Sequence, residues 1–333
     1  MPFNKTIELA SFGNTIVDIE YTVSDELLMD LGIEKSSMTL IDHPTKNRIM
    51  AMLGPSSHMS SGGSTANSVF IAALRGLKTF HCGVVGNDTL GSVVHDAFAG
   101  ATIQSSLSAW SQSGDTACCL VLITPDGERT MLTYLGVSSR FLPTFDYDSI
   151  INRTRIMLIE GYLIPDDTVY DIILNTVIPL AAQHKTTLAL TLSNDGIVTA
   201  FTNRFHELMD THCIHTVFCN KAESFALTHH HHVADQAAYM SHHIPEVIIT
   251  DNQYGAYSHH NGVFHHHPTT PVTPLDTTGA GDAFAGIYLA HRIRSRSVSD
   301  ACIAANYIAG HAVQGYSPRP HQLQTAIAKM PSL

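Results

Sequence analysis

The stretch that decides the fold is Asp276-Thr277-Thr278-Gly279-Ala280-Gly281-Asp282, which runs directly into Ala283-Phe284-Ala285-Gly286-Ile287-Tyr288-Leu289-Ala290. Upstream, Thr269-Thr270-Pro271-Val272-Thr273-Pro274 is turn and extended chain, because proline biases its predecessor away from the helical region. Downstream, Phe284, Ile287, Ile293 and the small residues between them predict a buried helix. Gly279-Ala280-Gly281 is then a helix N-terminus, where backbone N–H groups lack intrahelical partners and the dipole favours an anion. Asp282 falls in the first turn of that helix. A carboxylate beside an anion hole suits phosphoryl transfer to an alcohol: one group accepts the hydroxyl proton, others hold the charge in flight. The plainer alternative is that the glycines allow tight packing and Asp282 complements the dipole.

A chain of 333 residues with 44% apolar content can bury a large core, as one domain or a domain with an accessory lid. The formal charge of −11, with no basic run, argues against nucleic acid as a main partner. No stretch of about 18 uninterrupted apolar residues exists, so no membrane span is expected. The opening Met-Pro-Phe-Asn-Lys-Thr-Ile-Glu has no secretory pattern, and six Cys are scattered without CxxC pairs. Those features read as a cytoplasmic protein with reduced thiols. The 22 His, concentrated at 229–232, 242–243, 259–260 and 265–267, read as solvated surface imidazoles. Contiguous His on a loop rarely close a metal shell, and metal storage is the lesser alternative.

Ile7 to Phe12 reads as a buried first strand, followed by Gly13-Asn14. Val17, Ile19, Tyr21 and Val23 alternate with Asp18, Glu20 and Thr22, a half-exposed strand with Asp18 on the polar face. Met38 to Ile41 is a short strand, Thr45 to Leu53 a short helix, and helical spacing begins at Thr65. Ala117 to Ile123 and Arg129 to Tyr134 form a hairpin through Pro125-Asp126-Gly127. From Ile156 to Thr250, strands and helices alternate as in a parallel sheet covered on both faces. One of those helices is expected over Thr168 to His184, and a hairpin turns at Asn261-Gly262.

No Walker motif is present: Gly86-Asn87-Asp88-Thr89-Leu90-Gly91-Ser92 lacks the lysine, and no G-x-G-x-x-G follows the first strand. A second Gly-rich turn, Gly62-Gly63-Ser64-Thr65-Ala66-Asn67-Ser68, permits close approach to a ligand and a hinge, or else caps a helix with Ser64 or Thr65. Asn220-Lys221-Ala222-Glu223 follows a strand and has the spacing of a capping box.

Both Gly-rich stretches, in this order, resemble the two signatures of the ribokinase-like (PfkB) carbohydrate and nucleoside kinases, and Asn220 to Glu223 resembles that family's Asn-x-x-Glu. The resemblance runs from Gly13 to the Ala-rich helix around Asn306. It implies a single catalytic domain over residues 1–333, a three-layer α/β/α sandwich with a mostly parallel central sheet. A small β-sheet lid would come from about 15–42 and 107–135. It further implies Asp282 as the base, with Gly279, Ala280 and Gly281 as the anion hole. Asn14, Asp18, Gly62, Gly63 and Asn67 would hold sugar hydroxyls, and Leu40, Leu135 and Tyr162 would line a purine. Arg129, Asn220, Thr250, Gly255, Thr278 and Asn306 would contact ATP. Glu223 with Asn220 would place Mg²⁺ through water, and a monovalent cation such as K⁺ is compatible with this set.

Within the family, Asn14 to Asp18, Ser37 to Asp42, Ser61 to Ser68 and Cys119 to Gly136 are most similar to adenosine kinases, implying transfer to the 5′-hydroxyl of a ribonucleoside. Kinases of ribose, fructose, a keto-deoxy sugar acid or another nucleoside remain alternatives, as does a non-catalytic nucleoside-binding protein. The expected partners are small molecules, and the chain is a monomer or homodimer.

Overall fold

The computed structural model describes residues 5–56, 58–316 and 319–331. Among these, a central sheet has nine strands. Their spatial order is β14 (Val263–His267), β13 (Ala256–His260), β12 (Glu246–Thr250), β11 (Ile214–Asn220), β10 (Thr187–Thr191), β9 (Thr154–Glu160), β1 (Ile7–Phe12), β5 (Thr79–Cys82) and β6 (Gln104–Ser105). Neighbours from β12 to β6 are parallel. The last two strands turn back antiparallel through Asn261 and Gly262, both at positive φ as an Asn-Gly hairpin requires. Strands covered on both faces must be apolar throughout. Met157 to Ile159 of β9 and Val247 to Ile249 of β12 are accordingly all buried.

One face carries helices Ser64–Leu74, Ala280–Ile293, Val298–Ala312 and His321–Lys329, whose apolar sides share one core. Helices Tyr147–Arg153, Thr202–Asp210 and Val233–Ser241 share the other, with residues 167–184. The result is the expected three-layer α/β/α sandwich with a mostly parallel sheet. A second sheet stands over it, ordered β3 (Met38–Leu40), β8 (Arg129–Tyr134), β7 (Ala117–Ile123), β2 (Ile16–Thr22) and β4 (His58–Gly62). Val17, Ile19 and Tyr21 of β2 face inward, and Asp18 and Glu20 alternate with them. No described helix is long and apolar enough to cross a membrane.

Several features differ from the expectation. The strand β4 lies outside both segments assigned to the lid. Its residues, His-Met-Ser-Ser-Gly, lack the branched and aromatic side chains that mark strands, and pairing with β2 fixes it instead. Residues 107–116 add no strand to the lid. Helices Asp195–Ala200 and Lys221–Thr228 are additional. The helix over 167–184 contains a π-helical turn at Ile173–Val177, just before Pro179. Proline has no N–H to offer the preceding turn and its ring collides with it, so the wider turn absorbs the misfit.

The two helices that matter most cross at Gly286. A Cβ built there would lie 2.5 Å from the Ser68 carbonyl oxygen and 3.2 Å from the Ile71 Cβ. Only glycine permits that approach, and it brings the first turn of Ala280–Ile293 against the first turn of Ser64–Leu74. Gly286→Ala is therefore expected to cost about 1 to 3 kcal/mol, the range for forcing a methyl group into a packed contact. Urea unfolding measures it, and an unchanged midpoint would contradict the close crossing.

Candidate active site

Parallel strands in register end at one edge, and in open α/β sheets ligands bind beyond the carboxyl ends of the strands. At this edge stand Gly13-Asn14 after β1, Glu160 ending β9, Asn220 ending β11 and Thr250 ending β12. The N-terminus of helix Ala280–Ile293 faces the same edge, and the lid strands β2 and β4 adjoin it.

Asp282 is anchored by the helix that crosses its own. Ser64 Oγ donates to its Oδ1 at 2.7 Å, Asn67 Nδ2 donates to its Oδ2 at 2.9 Å, and Ser68 Oγ donates to its backbone carbonyl at 3.0 Å. Ser64 is thus not a helix cap: that place is taken by Gly63, at φ +102, with no side-chain bond. A Cβ on Gly63 would strike the Asn14 carbonyl oxygen at 2.3 Å, and one on Gly62 would meet Asp18 Oδ2 at 2.7 Å. The paired glycines let β4 close against the start of β2, which brings Asp18 beside the site. Burial pushes the Asp282 carboxyl up to about 6, against the Asn67 and Ser64 hydrogen bonds and the Arg319 charge that favour the ionised form. Asp18 is also pushed up to about 6 by burial, with Arg319 and Arg129 opposing and Glu20 and Asp282 reinforcing.

Gly279, at φ +77, turns the chain into the helix, and Thr278 N–H bonds Asp276 Oδ1 at 2.8 Å. Gly281 is exposed, and a Cβ built on it would touch nothing within 4 Å. The first helical turn therefore borders open space, as an anion site requires. Arg129, expected at ATP, is engaged within the protein. Its guanidinium pairs with Asp276 and with Glu20 of β2, linking the lid to the Gly-rich loop.

Asn220 and Glu223 form a complete capping box. Glu223 accepts from Asn220 N at 3.0 Å and from Nδ2 at 2.8 Å, and burial beside Asp195 and Asp282 pushes its carboxyl up to about 7. Among the described residues no group of three or more His, Cys, Asp or Glu is placed to hold a metal. One buried carboxylate, destabilised by neighbouring negative charge, still suits Mg²⁺, which keeps several waters and takes its other oxygens from substrate phosphates.

The remaining expected residues spread outward. Asn14 acts as a strut: its Nδ2 donates to Glu160 Oε1 at 2.8 Å, and Ser138 Oγ donates to its Oδ1 at 3.0 Å. Tyr162 lies among acids, its phenol pushed up by burial and by Glu160, Asp282, Glu223 and Asp195. Leu135 is half-buried, whereas Leu40 is 61% exposed on the lid edge. Thr250 Oγ1 contacts the Cys219 carbonyl at 3.4 Å, Gly255 has φ +91, and Asn306 Nδ2 donates to the His267 carbonyl at 2.7 Å. Gly255 and Asn306 thus meet at the His267 carbonyl, at the end of β14.

Two residues were missed. Glu160 is buried and accepts four bonds, from Asn14 N and Nδ2 and from Thr65 N and Oγ1. Its one signal was an acid closing an apolar strand. Arg319, near the C-terminus, had none. His267 also departs from the surface reading, being buried and bonded to Ser258 Oγ at 2.8 Å.

Residues 25–325 match the family model described as pfkB family carbohydrate kinase. The chain belongs to that family. The crystal structure of adenosine kinase from Sinorhizobium meliloti is 27% identical, with a TM-score of 0.87 over 97% of this chain and 99% of that one. A probable sugar kinase protein from Rhizobium etli CFN 42 is equally similar, 27% identical with a TM-score of 0.87 over 98% of both chains. Adenosine kinase 2 from Arabidopsis thaliana is 23% identical, covering 92% of this chain and 93% of its own length. As a pfkB kinase, the protein is an ATP-dependent phosphotransferase with a nucleoside or sugar hydroxyl as acceptor.

Asp282→Asn keeps both anchoring bonds possible and removes proton acceptance. Turnover is expected to fall about 10²- to 10⁴-fold, the range for losing a general base, with substrate binding retained. A base must be ionised, and this one is raised to about 6, so wild-type kcat/KM should fall as the pH drops through about 6. Near wild-type turnover of the Asn variant would remove Asp282 from the mechanism.

Proposed function

We propose that the protein transfers the γ-phosphoryl group of ATP to the 5′-hydroxyl of a ribonucleoside, adenosine foremost, giving AMP. The observation that carries this reading is the meeting of Asp18, Asn67 and Asp282 beneath the lid and beside the open first turn at Gly281. Asp18 offers two carboxylate oxygens to a vicinal diol, the arrangement that ribose presents. Asn67 Oδ1 is buried and has no hydrogen-bond partner among the described residues, an acceptor waiting for a donor. Each Asp282 oxygen uses one bond to the protein, which leaves capacity to take the hydroxyl proton. The amides of Gly279 to Asp282 then stabilise the phosphoryl charge, and Asn220 with Glu223 would hold Mg²⁺ through water. That ion supplies charge neutralisation on the phosphates.

A nucleoside rather than a free sugar is supported by what the site lacks. A free sugar needs further polar groups for its additional hydroxyls, and Asn14 is already engaged by Glu160 and Ser138. The lid instead offers Leu40 and Met38, both exposed on β3, as apolar surface for a flat base.

Purified protein assayed for ADP release should turn over adenosine with kcat/KM at least about tenfold above ribose or fructose, a difference of about 1.4 kcal/mol in transition-state binding. Equal or better turnover of a free sugar would leave the family assignment standing and overturn the nucleoside.

Because Leu40 is exposed, the lid must close before it can touch a base. Adenosine should therefore slow hydrogen exchange at amides of β2, β3, β7 and β8. Identical protection with and without adenosine would exclude that closure.

A further inference from the structure

Arg319 stands just before helix His321–Lys329, whose N-cap is Pro320. A cation at that end opposes the helix dipole, so the helix gains nothing from it. The rest of its surroundings give it a different purpose. Its guanidinium lies over the Phe70 ring, 4.2 Å from the centroid, and Nη2 donates to Ser61 Oγ at 2.7 Å. Phe70 belongs to the helix that carries Ser64 and Asn67. Ser61 belongs to β4 and pairs with Val17 of β2, the residue before Asp18. The terminal helix is fixed alongside Ser64–Leu74 by buried Leu323, Ala326 and Ile327. Arg75 adds bonds to the Ile327 and Pro331 carbonyls at 3.3 and 2.5 Å.

We propose that Arg319 is a positioning residue of the phosphotransfer site: the counter-charge shared by Asp18 and Asp282, tying the lid strand β4 to the helix that holds the base. This rests on Asp282 being the base.

The charges around the pair leave Arg319 a distinct part. Asp18 faces Arg319 and Arg129 as cations, with Glu20, Asp282 and the Cys119 thiol on the opposing side. Asp282 faces Arg319, the neutral donors Ser64 and Asn67, and the acidic neighbours Asp18, Glu223 and Tyr162. Arg319 is thus the cation common to both carboxylates, and for Asp282 the one that favours its ionised form. Burial lowers the Arg319 guanidinium to about 10, which leaves it charged at neutral pH. Stacking on Phe70 holds the planar group without neutralising it, and a lysine ammonium over the same ring would keep the charge in place.

The test compares wild type, Arg319→Gln and Arg319→Lys, all checked for folding by thermal unfolding, in kcat/KM for adenosine from pH 5 to 9. Removing the charge raises the carboxylate pKa, so the acid limb of Arg319→Gln should move up by about 1 pH unit. Its kcat/KM should fall about fivefold relative to wild type at pH 6 and about tenfold at pH 5, while approaching it at pH 8. Arg319→Lys should keep the limb near its wild-type position. A wild-type limb that stays in place in Arg319→Gln would overturn the role of Arg319 and leave the proposed reaction intact. A wild-type profile flat across the acid range would remove the titrating base itself, and both readings with it. Should Arg319→Gln fail to fold, a limb shifted upward in Arg319→Lys by as much as 1 pH unit would equally overturn the proposal, since that variant retains the charge.

Discussion

The constraint on which this site depends is negative charge out of water. Asp18, Glu160, Glu223 and Asp282 all stand at one edge of the sheet, and burial raises the carboxyl of each. An unpaired buried carboxylate is costly, so each must be satisfied by donors or cations. The fold supplies these differently for each. Glu160 receives four hydrogen bonds from Asn14 and Thr65, and Glu223 is closed into its own helix cap. Asp282 receives two neutral donors, and Asp18 relies on the charges of Arg319 and Arg129. The division matches a division of labour. Glu160, fully satisfied, holds the frame, and in the proposed reaction Glu223 serves the metal while the partly satisfied Asp18 and Asp282 face the hydroxyl.

The same electrostatics couple the lid to the sandwich. Arg129, on lid strand β8, pairs with Glu20 on β2 and with Asp276 at the start of the Gly-rich loop. Arg319 comes from the opposite side of the lid, bonding Ser61 on β4. Two arginines thus fasten the lid from separate elements, Arg129 through Asp276 and Glu20, Arg319 through Ser61 and the Phe70 ring of helix Ser64–Leu74. Movement of the lid therefore changes the local field at Asp18 and Asp282. Catalytic charge and lid position share one set of contacts.

How much of this was legible in the sequence depends on how local the cause is. The Asp282 helix was readable because its glycines, its acid and its apolar run are contiguous. The alternating β2 and the Asn-Gly hairpin were readable for the same reason. The strand β4 was not: its polar residues carry no strand signal, and only pairing with β2 makes them extended. Ser64 illustrates the limit at one residue. Its position near a helix start suggested a cap, yet its hydroxyl serves Asp282, 218 positions away. Arg319 was invisible because its neighbours are assembled by docking of the last helix. A lone arginine between prolines says nothing about charge it will meet in three dimensions.

Gly286 shows why the chemistry and the packing cannot be separated. Its missing side chain lets two helices approach until Ser68 and Asp282 share a bond, and that bond fixes the turn on which the base stands. A catalytic carboxylate placed on a helix end inherits the precision of the helix crossing beneath it. Selectivity is built differently, since Leu40 and Met38 sit on the exposed β3 edge of a small sheet. In the proposed reaction, the groups that break and make bonds are held by the buried core. The apolar groups proposed to meet the base lie on the lid instead. A family arranged this way can exchange one acceptor for another by altering lid residues, leaving the Asp282 turn unchanged. Equal likeness to a protein named an adenosine kinase and to one named a probable sugar kinase fits that arrangement.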